Sequence, residues 1–519
     1  MSNKSLVKSA VIIMGLTIIS KSLGFGREAL VAAKFGVSFS SDIYVFTVGI
    51  TAILFSSIGA SVGTTFIPML TEYIETKTIK ERKYFINNIL NITIFISIIL
   101  CAFGIIFGKY IILFFAPGFV TEYKYSEFLE AIKLTRIMFV ALLFIGVKSV
   151  LSGVLQSHKK FAIPAAMAIF SNIIVMIYLI FFATTYGVKG LIVSVIVGHF
   201  LEVLIHIPKY RNLGYGYKFV LNLKDNSIKR ISVLIIPVII GTSISQINLL
   251  IDRMLATTVG VGAMATMNFA NKLNLFIYTV FSLAISTVIY SNLSTLYAKE
   301  DYEGYKKTLI KAINAINLIM IPATVGMIIL RIPIVNLIFK RGAFNDEAAI
   351  RTASVMLFYS FGIAAYGLRD LLNRAFYSIK DTKTPMINSA IGIFINITIN
   401  FILVKHMGIN GLALATSISA ITTTILLIYS LNKKLNLDIR KIYTSFTKIL
   451  FSSIIMGFMV FIIYNFLIKS IGANSQGQLM GVIISSILGG VVYYITVYFL
   501  GIEEVDYIID IVKRKIAKG

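Results

Sequence analysis

Lys21, Arg27, Glu28 and Asp42 stand inside or at the edges of the first two long apolar segments, within SKSLGFGREALVAAKFGVSFSSD (20–42). Exposing such groups to lipid is costly, so a membrane span keeps them only where they face a protein interior or a wet cavity. Cations gathered there predict that something anionic is handled within a membrane. Glu28 and Asp42 are the expected partners that hold the cations ionised and gate closure when the anion is absent. The competing structural roles are simple ones. Lys21 and Arg27 can snorkel to an interface, and Asp42, beside Ser40 and Ser41, can cap the second helix.

A second group offers neutral oxygens. Asn396 and Asn400 are i, i+4 on one helical face, Thr416 lies in the following apolar segment and Asp252 in the seventh. Oxygen ligands of this kind suit a hard cation, here Na+. Arg253 competes for the charge of its neighbour Asp252, and amide hydrogen bonds between helices are the alternative role. Arg369, Asp370 and Arg374 read as a latch or an intrahelical pair. His199, Glu202 and His206 share one face at i, i+3, i+7. The two histidines are about 10 Å apart along the axis, too far to grip one ion, and interfacial hydrogen bonding is expected of them.

The elements that position these residues must be apolar helices. The chain is 57% hydrophobic and only 14% charged, with a mean hydropathy of +0.87, against about 25% charged in a soluble domain. Fourteen spans are predicted, at about 8–32, 43–70, 87–108, 134–156, 162–184, 188–208, 229–256, 264–297, 309–330, 350–377, 384–404, 408–431, 445–468 and 477–500. The first is read as a retained span rather than a cleaved signal peptide. Residues 71–86 and 121–133 read as short amphipathic interfacial stretches.

Net charge is +25, but the basic residues fall in alternate short loops rather than on one nucleic-acid-binding face. Loops on one side hold about 29 of them and the opposite loops about 8, which places both termini in the cytoplasm. A single cysteine, Cys101, rules out an intramolecular disulfide and a cysteine metal site. No Walker A, GxSxG or HExxH pattern is present, so no enzyme chemistry, cofactor or ATP site is expected.

An internal repeat is visible. Ser157, Lys159, Pro164, Gly187, Gly190 and Leu191 recur 221 residues later as Ser378, Lys380, Pro385, Gly408, Gly411 and Leu412. Residues 1–211 and 229–434 are thus expected to be two six-helix lobes in one orientation, related by an axis along the membrane normal. They would flank a central cavity, with 445–500 as two extra helices and 501–519 as a basic cytoplasmic tail resting on anionic headgroups. The expected fold class is an all-α membrane protein of fourteen transmembrane helices.

SKSLGFGREALVAAKFG (20–36), Asp42, APGF (116–119), QINLLID (246–252), FKRGAF (339–344), AFYSIKDTKTP (375–385) and GINGLALATS (408–417) occur in order. Together they resemble the MurJ-type lipid II flippases of the multidrug/oligosaccharidyl-lipid/polysaccharide exporter superfamily. The resemblance implies two pseudo-symmetric lobes around a cavity and a groove for a lipid tail bordered by the last two helices. It also implies outward movement of the undecaprenyl-diphosphate-linked peptidoglycan precursor by alternating access, in a bacterial plasma membrane. By this resemblance Lys21, Arg27 and Lys272 occupy the family's cationic positions and Asp42 its second-span aspartate. Some members hold sodium between the helices that correspond to those of Asp252, Asn396, Asn400 and Thr416.

Arg supplies a planar fork and Lys a mobile point charge for a diphosphate. One departure is the span-2 run Leu54-Phe55-Ser56-Ser57-Ile58-Gly59-Ala60-Ser61, which carries no charge where many members have an Arg-Arg pair. That departure leaves another polyprenyl-diphosphate-linked oligosaccharide as the alternative substrate. A cation-coupled drug exporter, which needs an acidic cavity, and a non-transporting scaffold, which usually carries an appended soluble domain, fit less well. A monomer, with membrane lipids and the lipid-linked substrate as partners and no nucleic acid, is the expectation.

Overall fold

The computed structural model describes residues 3–502, with the side chains of 3–14 and of a few positions in 57–58, 237–245 and 280–288 left aside. The expected basic tail therefore lies almost entirely outside the described residues. Every element is helical, and the chain divides into two compact units, Met1–Ala265 with Arg341–Phe344, and Thr266–Lys340 with Asn345–Gly519.

The first unit holds α1 (Asn3–Phe35), α2 (Phe39–Ser61), a π-helical turn (Val62–Phe66), α3 (Ile67–Thr76), α4 (Ile79–Phe115), α5 (Gly118–Thr121), α6 (Tyr125–Phe139), α7 (Ala141–Ser157), α8 (Ala162–Phe181), α9 (Ala183–Asn212) and α10 (Asn226–Thr257). Thr78 and Glu81 form a reciprocal capping box that starts α4 at Ile79. The stretch 71–86, expected to be amphipathic and interfacial, is the end of α3 and the opening turns of α4. Likewise α6 begins at Tyr125, so most of 121–133 is continuous with a span. Helix α1 packs on α8, α8 on α9, and α7 on α9 and α4.

The motif 341–344 docks on the end of α1, where Ala343 N donates to Ala33 O at 2.8 Å. Gly36 makes this possible: its φ is +60°, and a Cβ there would stand 2.4 Å from Ala343 O. Two of the sequence motifs, 20–36 and 339–344, thus meet in space.

The second unit holds α11 (Ala263–Ala298), whose first turn lies at the boundary, α12 (Tyr302–Ile329), α13 (Arg331–Phe339), α14 (Asp346–Ser360), α15 (Ile363–Ser378), α16 (Lys383–Met407), α17 (Ile409–Leu435), α18 (Ile439–Ile471) and α19 (Ser475–Phe499). Helices α16 and α17 form one close pair and α18 and α19 another, with α12 against α18.

Ten helical stretches among the described residues are long and apolar enough to cross a membrane, or eleven when α14 and α15, bent by 41°, count as one. Fourteen is not reached. The other three expected segments, 8–32, 229–256 and 264–297, fall on α1, α10 and α11. These are long helices of 33, 32 and 36 residues.

The repeat is written into the backbone. Lys159 and Lys380 both have positive φ, 60° and 61°. Gly187 (φ 54°, ψ −149°) and Gly408 (φ 57°, ψ −133°) break their helices in the same way. Lys160 N donates to Leu155 O and Asp381 N to Phe376 O, again 221 residues apart.

Candidate functional site

Arg27 sits in the second half of α1 with its guanidinium turned to protein. Nη2 donates to Glu28 Oε1 at 2.8 Å and Nη1 to Asn172 Oδ1 of α8 at 3.1 Å. Asn172 Nδ2 in turn donates to Ser20 O at 3.2 Å, so α8 grips α1 at both ends of this stretch. Glu28 is 3% exposed and Arg27 21%. A neighbouring residue holds the charge ionised while α8 fixes the direction of the fork. This is the partnered state expected of a cation that waits for an anion.

A second ionic group lies within electrostatic reach of Arg27. On α9, Glu202 is paired with the Lys148 ammonium of α7, and His199 Nδ1 lies 2.9 Å from the same carboxylate oxygen. Lys148 Nζ is also 3.1 Å from His199 Nδ1. One helical turn on, His206 Nδ1 donates to Glu202 O at 2.6 Å. Interfacial hydrogen bonding was the expectation for His199, Glu202 and His206. His199 and Glu202 are instead parts of a buried charge group, because α7 brings a lysine opposite them, while His206 bonds back to its own helix. Lys148 stands in ALLFIGVKSVLSG, an apolar run, so the rule that singled out Lys21 also points to it. Asn172 carried no such signal, since an amide in a helix is common.

Asp42 does not serve α2 alone. Its carboxylate accepts from Gly262 N and Ala265 N, both at 2.7 Å, and from the Tyr123 hydroxyl. It therefore caps the turn at 262–265 within the first unit. Burial, and then the adjacent Asp42 charge, push the Tyr123 phenol well above its ordinary pKa, which keeps it a donor.

Lys21 is exposed on α1 and is not drawn into the Arg27 group. Lys272, half-buried, belongs to α11 in the second unit. Asn396 and Asn400 meet as read from their spacing, Asn400 Nδ2 donating to Asn396 Oδ1 at 2.9 Å in a fully buried position. The Thr416 hydroxyl donates to Leu412 O one turn back. Asp252 lies on α10 in the first unit, so the four oxygen donors are divided between units. Its neighbour Arg253 reaches α2, occupying the space a side chain at Gly49 would fill. Arg374 Nε pairs with Asp370 at 3.1 Å and Arg369 lies 5.2 Å over the Tyr366 ring, so this trio resolves into an intrahelical pair and a cation–π contact.

With this geometry in hand, comparison with known proteins decides the family. The sequence pattern that defines lipid II flippase MurJ matches residues 31–483. The chain belongs to the lipid II flippase MurJ family. Among curated MurJ relatives, a probable lipid II flippase of Buchnera aphidicola from Acyrthosiphon pisum is 27% identical over 97% of this chain and 99% of its own length. A probable flippase of Vibrio cholerae is 28% identical, with 82% of each chain covered. The solved structure of a lipid II flippase MurJ in an inward closed conformation superposes with a TM-score of 0.80 at 26% identity, covering 94% of this chain and 98% of that one. An inward-facing multidrug transporter of the MATE family shares the fold alone, with a TM-score of 0.66 at 14% identity. The resemblance read from seven ordered motifs is therefore the right one. The MurJ fold also accounts for the all-helical, multi-pass membrane architecture.

Proposed function

We propose that this protein moves lipid II, the undecaprenyl-diphosphate-linked peptidoglycan precursor, from the inner to the outer leaflet of a bacterial plasma membrane by alternating access. The observation that carries the reading is Arg27: a guanidinium held inside an apolar helix by Glu28 and Asn172, in a chain of the MurJ family. A diphosphate can take that fork with two anionic oxygens, where Glu28 engages it through one, Oε1. Lys21 and Lys272 are the further cations of this reading, and Glu28 is the counter-ion released on binding. Asp42 keeps the turn at 262–265 in place and acts on gating through it.

The two repeated halves, 1–211 and 229–434, are the lobes that rock, with 445–500 bordering the lipid tail. Both termini are cytoplasmic, the protein acts as a monomer, and it transports without catalysing a reaction. An inside-negative potential favours outward movement of a dianion by about 2.3 kcal/mol per charge per 100 mV. Sodium is the proposed coupling ion, its oxygens drawn from Asn396, Asn400 and Thr416 of the second unit.

Complementation in cells depleted of their own lipid II flippase tests the reading. Wild type is expected to restore growth, and Arg27→Ala, present in the membrane at equal level, is not. Absence of rescue by well-expressed wild type would overturn it. Rescue by both would remove Arg27 from the mechanism. For sodium, isothermal titration of purified protein with NaCl against KCl is expected to show Na+ binding that Asn396→Ala abolishes.

A further inference from the structure

The segment between α9 and α10 is held in an unusual way. Residues 215–222 form neither helix nor sheet, yet three asparagines on α4 hydrogen-bond them as a neighbouring strand would. Asn87 accepts from Lys218 N at 3.0 Å and donates to Gly216 O at 3.1 Å. Asn91 donates to Lys218 O and Val220 O at 3.2 and 3.1 Å. Asn88 accepts from Asn222 N at 2.8 Å and donates to Asn222 O at 2.9 Å. Every bond falls on an even-numbered residue, the period of an extended chain bound along one edge. Tyr215, 3% exposed, anchors the start against His158, with 2.9 Å between Tyr215 Oη and His158 Nε2.

The other side of this strap is apolar and open. Tyr217, Phe219, Leu221 and Leu223 are 63%, 71%, 41% and 57% exposed, although the Tyr217 hydroxyl bends back to Asn91. Lys218 and Lys224 are exposed between and beside them. Connectivity fixes where this stripe lies. Asn212 ends one membrane-crossing helix, α10 begins at Asn226, and α4, to which the strap is tied, is a third long apolar helix. A segment so tethered stays at the boundary between membrane and water, where aromatic and aliphatic side chains insert and lysines meet phosphates. Further along α4, Ile92 and Ile96 help line an apolar groove of about 660 Å³ with Ile231 and Ile235 of α10, space for a lipid chain.

We propose that the strap 215–224, zipped to α4 by Asn87, Asn88 and Asn91, is a binding surface for anionic phospholipid of the cytoplasm-side leaflet. Phe219 and Leu221 enter the headgroup–acyl boundary, and Lys218 and Lys224 take the phosphate. The proposal does not depend on what the protein transports.

The chain contains no tryptophan, so Phe219→Trp makes a single fluorescent reporter in the full-length protein. In nanodiscs its emission is expected to be blue-shifted and quenched by lipids brominated high on the acyl chain. Brominated phosphatidylglycerol is expected to quench more than brominated phosphatidylcholine at equal mole fraction. Adding Lys218→Gln and Lys224→Gln is expected to remove that preference, each charge being worth up to about fivefold. Asn88→Ala with Asn91→Ala is expected to spread the quenching over all depths while the protein keeps its elution volume. Emission typical of indole in water, quenched by iodide and not by lipid, would overturn the proposal and leave the stripe to a protein partner. Equal quenching by the two lipids would overturn its anionic part.

Discussion

Helices α6 to α9 and α14 to α17 are two copies of one device, 221 residues apart, and they differ where the chemistry lies. Each copy turns through a lysine at positive φ and breaks a helix at a glycine whose backbone only glycine adopts comfortably. Each also packs its last two helices through a missing side chain, but on opposite partners. In the first copy Gly198 of α9 faces Ser171 of α8; in the second Gly392 of α16 faces Ser419 and Thr423 of α17. The cation is repeated, but its carboxylate and histidine partners are not. Lys148, His199 and Glu202 correspond to Arg369, Ala420 and Thr423. The first copy buries an ionic group where the second has a hydroxyl, Thr423 donating to Ser419 O at 2.8 Å. Backbone geometry is thus shared by both halves, whereas the ionic contact between α7 and α9 belongs to the first; the second holds its charges on α15, as the Arg374–Asp370 pair and Arg369 over Tyr366.

The largest effect should come from breaking that asymmetry. Glu202→Leu leaves Lys148 buried and unpaired and is expected to cost about 3–5 kcal/mol. Thr423→Val, at the matching position, should cost only about 0.5–1.5 kcal/mol. Lys148→Met combined with Glu202→Leu is expected to recover most of the loss, since a well-packed apolar pair replaces a buried ion pair at little cost. Denaturant unfolding of the purified protein, read by circular dichroism, checks all three. A double variant no better than Glu202→Leu alone would mean that the lysine was not the source of the penalty.

The shared part of the device predicts equality instead. Gly187→Ala and Gly408→Ala should each cost about 1–3 kcal/mol, because an L side chain strains the backbone there whatever the space around it. Unequal losses would show that the two breaks are alike in shape but not in load. Lys159→Gly and Lys380→Gly should move the other way, each raising stability by up to about 1 kcal/mol by relieving a left-handed lysine.

These positions also show what could be read without coordinates. Ser, Lys, Pro and Gly at a fixed offset were legible because turn and kink residues are chosen by backbone geometry, which a repeat preserves. Apolar helices, the Arg27–Glu28 pair and the Asn396–Asn400 contact were legible for a similar reason, being set by local spacing. Lys148 was open to the same argument as Lys21, and its partners were already in view on α9. Only its register against α9, a tertiary fact, was hidden. Asp42 was ambiguous because a capping aspartate reads alike whether it caps its own helix or a turn 220 residues away. The asparagine ladder was opaque. Asn87, Asn88 and Asn91 share one helical face at i, i+1, i+4, but their partner is the backbone of a distant segment whose sequence says nothing of it.

The smallest effect sharpens the comparison at the turn itself. Where the first copy has Lys160, the second has Asp381, which accepts from Thr384 N at 3.0 Å and Thr384 Oγ1 at 2.6 Å in the first turn of α16 and pairs with Lys434. Partial burial pushes this carboxyl up, but the bonds from Lys434 and Thr384 outweigh it and hold the pKa at about 2. A carboxyl whose pKa is lowered by folding binds protons more readily when unfolded. Its contribution is therefore complete above the unfolded value of about 3.9 and is lost as pH falls toward the folded value. Melting temperatures of wild type and Asp381→Asn in detergent are expected to differ at pH 6 and to converge as pH falls from about 4 toward about 2. Lys160→Gln in the first copy, which removes no carboxylate, should give a difference that does not change over that range. Parallel curves for Asp381→Asn would mean that the turn of the second copy is held by its backbone alone, as in the first.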